Sequence, residues 1–350
     1  MATSDLVLEG GGVKGAGLAG AVHVLSEHYD FHRVAGTSAG AIVASLVAAG
    51  LGDRLETLTI DTDFADFLDE GPAGRFLGTL GNGIDLLARE GIHRGRALHR
   101  WIHDTLAGAG VTTWGDLRLP GATASTPIEH RYRLVVIVSD VSRGRMLRLP
   151  WDYERLLGMC ADSMPVADAV RASASIPFFF RPWRLPVDPA LTDGRTEIVL
   201  TDGGMLSNFP IDLFDDEPDH PTFGIKLSAK LPMCAQRWHD ADDPLSLARA
   251  LVATMTNAHD QVHVDRPSVV SRTVFVETNG VRSTDFRLSP EAKRGLFDNG
   301  VAAAGKFLAD WDFSTWQRDY GAGAAPAGAT APAPAPRPRR YRTVGLAVSG

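Results

Sequence analysis

Along the first fifty residues, short apolar runs end in small-residue turns and give way to apolar positions at helical spacing. "DLVLE" runs into "GGG", and "AGLAGAVHVLSEH" then places Leu18, Ala21, Val22 and Leu25 on one side of a helix, so the pattern predicts a buried strand, a tight turn and a helix. "FHRVAG" followed by "AIVASLVAAG" repeats that order, with Gly50 as the helix stop. Two such units in succession predict an α/β sheet containing a parallel pair.

From Asp53 to Leu106 the spacing is helical but broken at "EGPAG" and "GTLGNG", with Phe64, Phe67, Leu68, Phe76, Leu77 and Leu80 concentrated in the middle. This stretch, about 53–106, reads as a helical insertion. Further on, "RYRLVVIVSDV" and "GRMLRLP" predict neighbouring strands, "VADAVRASAS" a helix, and "TEIVLTDGG", "TFGIKLS" and "RTVFVET" three more strands. A helix is expected over Leu245 to His263, and a closing one over "SPEAKRGLFDNGVAAAGKFLADW", with Ser289 as N-cap and Pro290 at its first position. Beyond Tyr320 the chain turns to Ala, Gly and Pro and then to "RPRRYRTVGLAVSG". Such a segment buries too little apolar surface to offset its ordering entropy, so 321–350 is expected to be a disordered tail behind a single domain over 1–320.

Composition narrows the function classes. The chain has 350 residues, 44% of them hydrophobic, enough for a substantial core. A formal charge of -7 argues against a nucleic-acid partner, which needs concentrated cations. The two cysteines, Cys160 and Cys234, form neither a disulfide framework nor a C-x-x-C pair and are expected as reduced, buried thiols. No secretory signal and no membrane-spanning run are visible, which makes the cytoplasm the expected location.

The candidate chemistry lies in the glycine-flanked turns. "GGGVKG" satisfies G-x-G-x-x-G at Gly10, Gly12 and Gly15, between a strand and a helix, as in a dinucleotide site. That reading also needs an acidic residue at the end of the second strand, and the strand ends in Ala35-Gly36-Thr37 instead. The other use of such a loop is an oxyanion hole, in which consecutive glycines turn backbone amides towards a developing anion. Lys14 then either adds positive charge or braces the loop.

Ser38 stands at the centre of G-T-S-A-G, the nucleophile-elbow pattern, with a strand before it and a helix after it. A serine on so sharp a turn takes strained backbone angles, and small neighbours at Gly36, Ala39 and Gly40 avoid clashes with the flanking elements. The competing reading is a serine that merely caps the helix. None of the eleven histidines occupies an obvious strand-end loop late in the chain. His220 follows an acidic loop; His259 and His263, at i,i+4, lack the glutamate of a zinc helix, and His99 and His103 read as surface or core residues. The better base candidate is Asp202, at the end of a buried-looking strand and followed by Gly203 and Gly204.

The ordered set "GGGVKG", "GTSAG" and "DGG", with "VTTWGDL", "RASASIPFFFRP" and "DGGMLSNFPI", resembles the patatin-like phospholipase family over roughly Leu6 to Trp311. The resemblance implies a three-layer α/β/α fold with a central, mostly parallel sheet. It implies Ser38 as nucleophile, Asp202 as proton acceptor, an oxyanion hole around Gly10, Gly11 and Gly12, and Lys14 at the loop's basic position. It implies a lipid or phospholipid substrate, with an acyl-enzyme and no metal or other cofactor. Two alternatives stay open: a soluble carboxylesterase on the same fold, and a noncatalytic nucleotide-binding module using the Gly10–Gly15 loop. The Phe-rich insertion and Phe178, Phe179 and Phe180 form an acyl channel, a surface for peripheral membrane contact, or ordinary core.

Overall fold

The computed structural model describes residues 1–69, 91–215, 220–227 and 266–321. The helix expected over Leu245 to His263, the tail, Cys234, His259, His263 and the middle of the insertion lie outside the described residues.

The chain opens with β1 (Ala2–Leu8), α1 (Gly15–Ser26), β2 (Tyr29–Thr37) and α2 (Ala39–Ala48), the two strand-turn-helix units anticipated from the apolar pattern. Leu18, Ala21, Val22 and Leu25 of α1 are all fully buried. After α3 (Leu55–Ile60) come β3 (Gly91–His93) and α4 (Arg96–Gly108). The insertion is therefore not purely helical: β3 pairs in parallel with a later strand, a partnership that local spacing cannot register.

Next follow β4 (Leu134–Asp140), β5 (Arg145–Leu149), α5 (Trp151–Leu157) and α6 (Val166–Ser173). The run "LVVIVSD" is buried at every residue, as expected of a strand covered on both faces. Then come β6 (Phe178–Phe180), the partner of β3, with β7 (Trp183–Pro186), β8 (Glu197–Asp202) and β9 (Thr222–Lys226). The described chain closes with α7 (Pro267–Val270), β10 (Thr273–Phe275), α8 (Pro290–Asp310) and α9 (Phe313–Tyr320). Ser289 caps α8 by accepting from the Ala292 amide, with Pro290 in its first turn.

The strands make a mixed central sheet flanked by helices, a three-layer α/β/α arrangement. β10, β9, β1, β2 and β4 run parallel in that order, while β5 and β8 run antiparallel to β4 and β7 antiparallel to β8. The register around β4 decides where the candidate site forms. β5 takes one edge of β4 from Val136 to Asp140. A strand has two edges, so β2 and β8 must divide the other: β2 pairs with Leu134 to Ile137, and β8 takes over at Val138. Thr37 faces Ile137 and Asp202 faces Val138. Thus the end of β2 that leads into Ser38 abuts the end of β8 that carries Asp202.

Among the described residues no helix is long and apolar enough to cross a membrane. Cys160, expected to be buried, is a free and exposed thiol, because it precedes the 3-10 turn Ala161–Ser163 outside the packed helices.

Candidate active site

Ser38 occupies the single residue between β2 and α2, with φ 54° and ψ −122°. A positive φ at a residue with a side chain costs on the order of 1–3 kcal/mol and persists only where the surroundings enforce it. Here the enforcement is close packing of backbone on backbone. A Cβ added at Gly36 would lie 2.3 Å from the Gly40 carbonyl carbon, and one at Gly40 would lie 2.3 Å from the carbonyl oxygen of Leu8. The Ser38 amide donates to Ser173 Oγ at 2.8 Å, and that hydroxyl donates to the Ile137 carbonyl at 2.6 Å.

The side chain makes no capping bond to α2, which removes the bland reading of this serine as a helix cap. Instead Ser38 Oγ donates to Asp202 Oδ2 at 2.6 Å. Ser38 is 4% exposed and Asp202 7%. Asp202 Oδ1 accepts the Gly204 amide at 2.8 Å, and the Asp202 amide is held by the Ser175 carbonyl at 3.0 Å. Burial pushes the Asp202 carboxyl up to about 6, against the downward pull of the Ser38 hydroxyl and the Gly204 amide. Gly203 lets this turn pass over β4, since a Cβ there would lie 2.2 Å from the Ile137 carbonyl oxygen.

The glycine loop runs beside this pair. The Gly10 amide donates to the Asn208 carbonyl at 3.1 Å, so it is already engaged. The amides of Val13 and Lys14 are taken by Ser283 O and Gly11 O. Among the described residues none accepts from the amides of Gly11 and Gly12. Gly12 has φ +57°, and a Cβ on it would lie 2.0 Å from Ser283 O, so the loop tolerates no side chain there. Glu9, just ahead of the loop, accepts from the Leu227 amide at 2.5 Å and ion-pairs with Lys226, tying the loop to the end of β9. Lys14 sits at the end of the same turn, with its Cε against Gly11.

A cavity starts at Ser38, with about 660 Å³ of empty space when the open solvent at its mouth is included. It runs under the glycine loop and along α2 towards α3, α4 and the 3-10 turn Phe64–Phe67. Apart from Ser38, Thr59 and the Trp101 indole, the described residues that line it carry apolar side chains or none. Phe180 is core and cavity wall at once: it is 1% exposed, packs on Phe179 and Phe286, and lines the cavity.

Several residues fall elsewhere. His99 Nε2 lies 2.8 Å from Asp168, and His103 meets its neighbour Asp104 on the surface. His220 is near Asp5 in the buried Asp5–Arg33 pair, whose partner Arg33 is in the middle of β2, away from its junction with Ser38. Ser173 and Asn208 join the site without a role legible in the sequence, where Asn208 only matches the family pattern after Asp202. Their signal was a polar residue among small ones in "RASAS" and a lone amide after "DGG".

Comparison with known proteins places this geometry in context. A family model described as patatin-like phospholipase matches residues 6–215. Uncharacterized protein YqhO of Bacillus subtilis (strain 168) is 36% identical over 311 residues, covering 88% of this chain and 99% of that protein. Uncharacterized protein R571 of Acanthamoeba polyphaga mimivirus is 23% identical over 316 residues, covering 85% of this chain and 91% of that one. Among solved structures, VipD from Legionella pneumophila superposes with a TM-score of 0.49 at 17% identity over 87% of this chain, which spans 66% of the VipD chain.

Proposed function

Because the chain belongs to the patatin-like phospholipase family, we propose that it is a lipid acyl hydrolase in which Ser38 and Asp202 do the chemistry as a pair. The substrate is a carboxylic ester of a phospholipid or other lipid. Ser38 Oγ attacks the ester carbonyl while its proton passes to Asp202 Oδ2. The electron pair pushed onto the carbonyl oxygen is held by the amides of Gly11 and Gly12. As the tetrahedral centre collapses, the C–O bond to the alcohol breaks, and the alkoxide leaves with the proton from Asp202. Water then gives a proton to Asp202 and attacks the acyl-serine; a second collapse returns that proton to Ser38 and frees the fatty acid.

The observation that carries this reading is the 2.6 Å bond between the elbow hydroxyl and a desolvated carboxylate. An ordinary aspartate titrates near 3.9 and is a feeble base at neutral pH. Burial narrows the gap to the hydroxyl, and a carboxylate at about 6 is still ionised at pH 7. The position of Ser38 at the start of the ten-residue helix α2 adds the positive end of a helix dipole to the alkoxide's surroundings. Gly10 orients the loop in this scheme, since its amide is occupied.

A fluorophosphonate probe tests the assignment. Covalent capture at Ser38, absent in Ser38→Ala, is expected, and Asp202→Asn should fold yet lose turnover by a factor of about a thousand or more. Retained turnover in Asp202→Asn excludes the pair.

A further inference from the structure

We infer that the cavity is a ruler for one medium-length acyl chain, on the order of eight to ten carbons, and that Leu46 sets its floor. The inference rests on the serine hydrolase reading above and names the substrate class for that site. Its starting point is the face of α2 turned to the cavity. Ala39, Ile42, Val43 and Leu46 all line it, the i, i+3, i+4, i+7 spacing of a single helix face. Ser38 opens this wall and Leu46 is the last α2 residue on it. At 1.5 Å per residue the wall is about 12 Å long, the reach of an extended acyl chain on the order of eight to ten carbons.

The far end of the wall is built of buried side chains: Leu46 is 2% exposed, Leu98 3%, and Thr59 and Phe67 each 7%. It is also dry in character, because the Thr59 hydroxyl donates to the Leu55 carbonyl at 2.6 Å within its own helix. A methyl terminus is the only chemistry that fits such a floor; a polar or charged group placed there would go unpaired. Chains shorter than the wall leave apolar surface unused. Longer ones must bend back towards the mouth and gain no further burial.

The test is a series of p-nitrophenyl esters from acetyl to palmitoyl, presented to the full chain in mixed micelles at matched ester fraction, with rates expressed per fluorophosphonate-labelled Ser38. For the wild type, kcat/KM should climb by up to about fourfold per added carbon, the worth of one buried methylene, and break to a plateau or decline near eight to ten carbons. Leu46→Ala should move the break to longer chains by about two carbons or more. Ile42→Phe, which fills the middle of the wall without opening a void, should move it to about four to six. A wild-type break at acetyl or butyryl, a climb continuing to palmitoyl, or a break that neither variant moves overturns the ruler while leaving the serine assignment standing. Absence of both labelling and turnover overturns the serine assignment and the ruler together.

Discussion

Asn208 holds both main-chain polar groups of Gly10: its backbone carbonyl accepts the Gly10 amide at 3.1 Å, and its side-chain Nδ2 donates to the Gly10 carbonyl at 3.1 Å. The same side chain packs beside the base turn, where a Cβ on Gly204 would lie 2.8 Å from Asn208 Oδ1. Asn208 thus fixes the glycine loop relative to the turn that follows Asp202. Asn208→Ala is expected to lower kcat by about tenfold to a hundredfold with KM little changed, because the amides of Gly11 and Gly12 lose their aim at the anion and little of the cavity is disturbed. Steady-state kinetics on a soluble ester check this, and a rise in KM at constant kcat contradicts it.

Ser173 supports the backbone of Ser38. Its hydroxyl accepts the Ser38 amide and donates to Ile137, with no exposure to water. Ser173→Ala leaves a buried amide without its acceptor at the most strained residue of the site. The expected cost is about 1–3 kcal/mol of stability, together with slower fluorophosphonate capture. Denaturant titration and labelling rates measure the two effects, and restoration of both in Ser173→Thr would identify the hydroxyl as their source.

The pH dependence of turnover follows from Asp202. With the carboxyl pushed up to about 6, log kcat/KM should rise with unit slope below that pH and level off above it. An inflection near 4 would show a carboxylate that is not desolvated.

Stability should carry the same signature with a defined sign. The folded protein holds the Asp202 proton more tightly than the unfolded chain, because the carboxyl lies at about 6 rather than near 3.8. Its contribution is therefore fully present below about pH 3.8 and is lost as pH rises through about 6, where ionisation in a buried site favours unfolding. At pH 8 the penalty is up to about 3 kcal/mol. Asp202→Asn escapes it, so its melting temperature relative to wild type should rise between pH 4 and pH 8. A difference that does not change with pH refutes the desolvation.

What the sequence made legible was local. The elbow, its flanking strand and helix, and the cap of α8 are encoded by neighbours: Gly36 and Gly40 around Ser38, and Ser289 before Pro290. Asp202 stood out as the end of an apolar run, but its meeting with Ser38 depends on how β2 and β8 share an edge of β4, a register set by residues 100 positions apart between β2 and β4 and 60 to 64 apart between β4 and β8. The engagement of the Gly10 amide was likewise hidden, since its acceptor lies 198 residues later. β3 escaped notice because three residues in a region of helical spacing carry no period of their own. Cys160 was expected in the core from the usual habit of free thiols, and its exposure reflects a turn that nothing in its residue type announces.

The end-to-end seating of β2 and β8 has a mechanical consequence. The gap between hydroxyl and acid is spanned by main-chain pairing to a third strand, not by the surrounding loops. Fraying at the cavity rim, or the arrival of a bulky lipid tail, can deform those loops without pulling the reacting atoms apart. Heat should accordingly abolish fluorophosphonate capture only when the amides of Ile137 and Val138 begin to exchange with solvent.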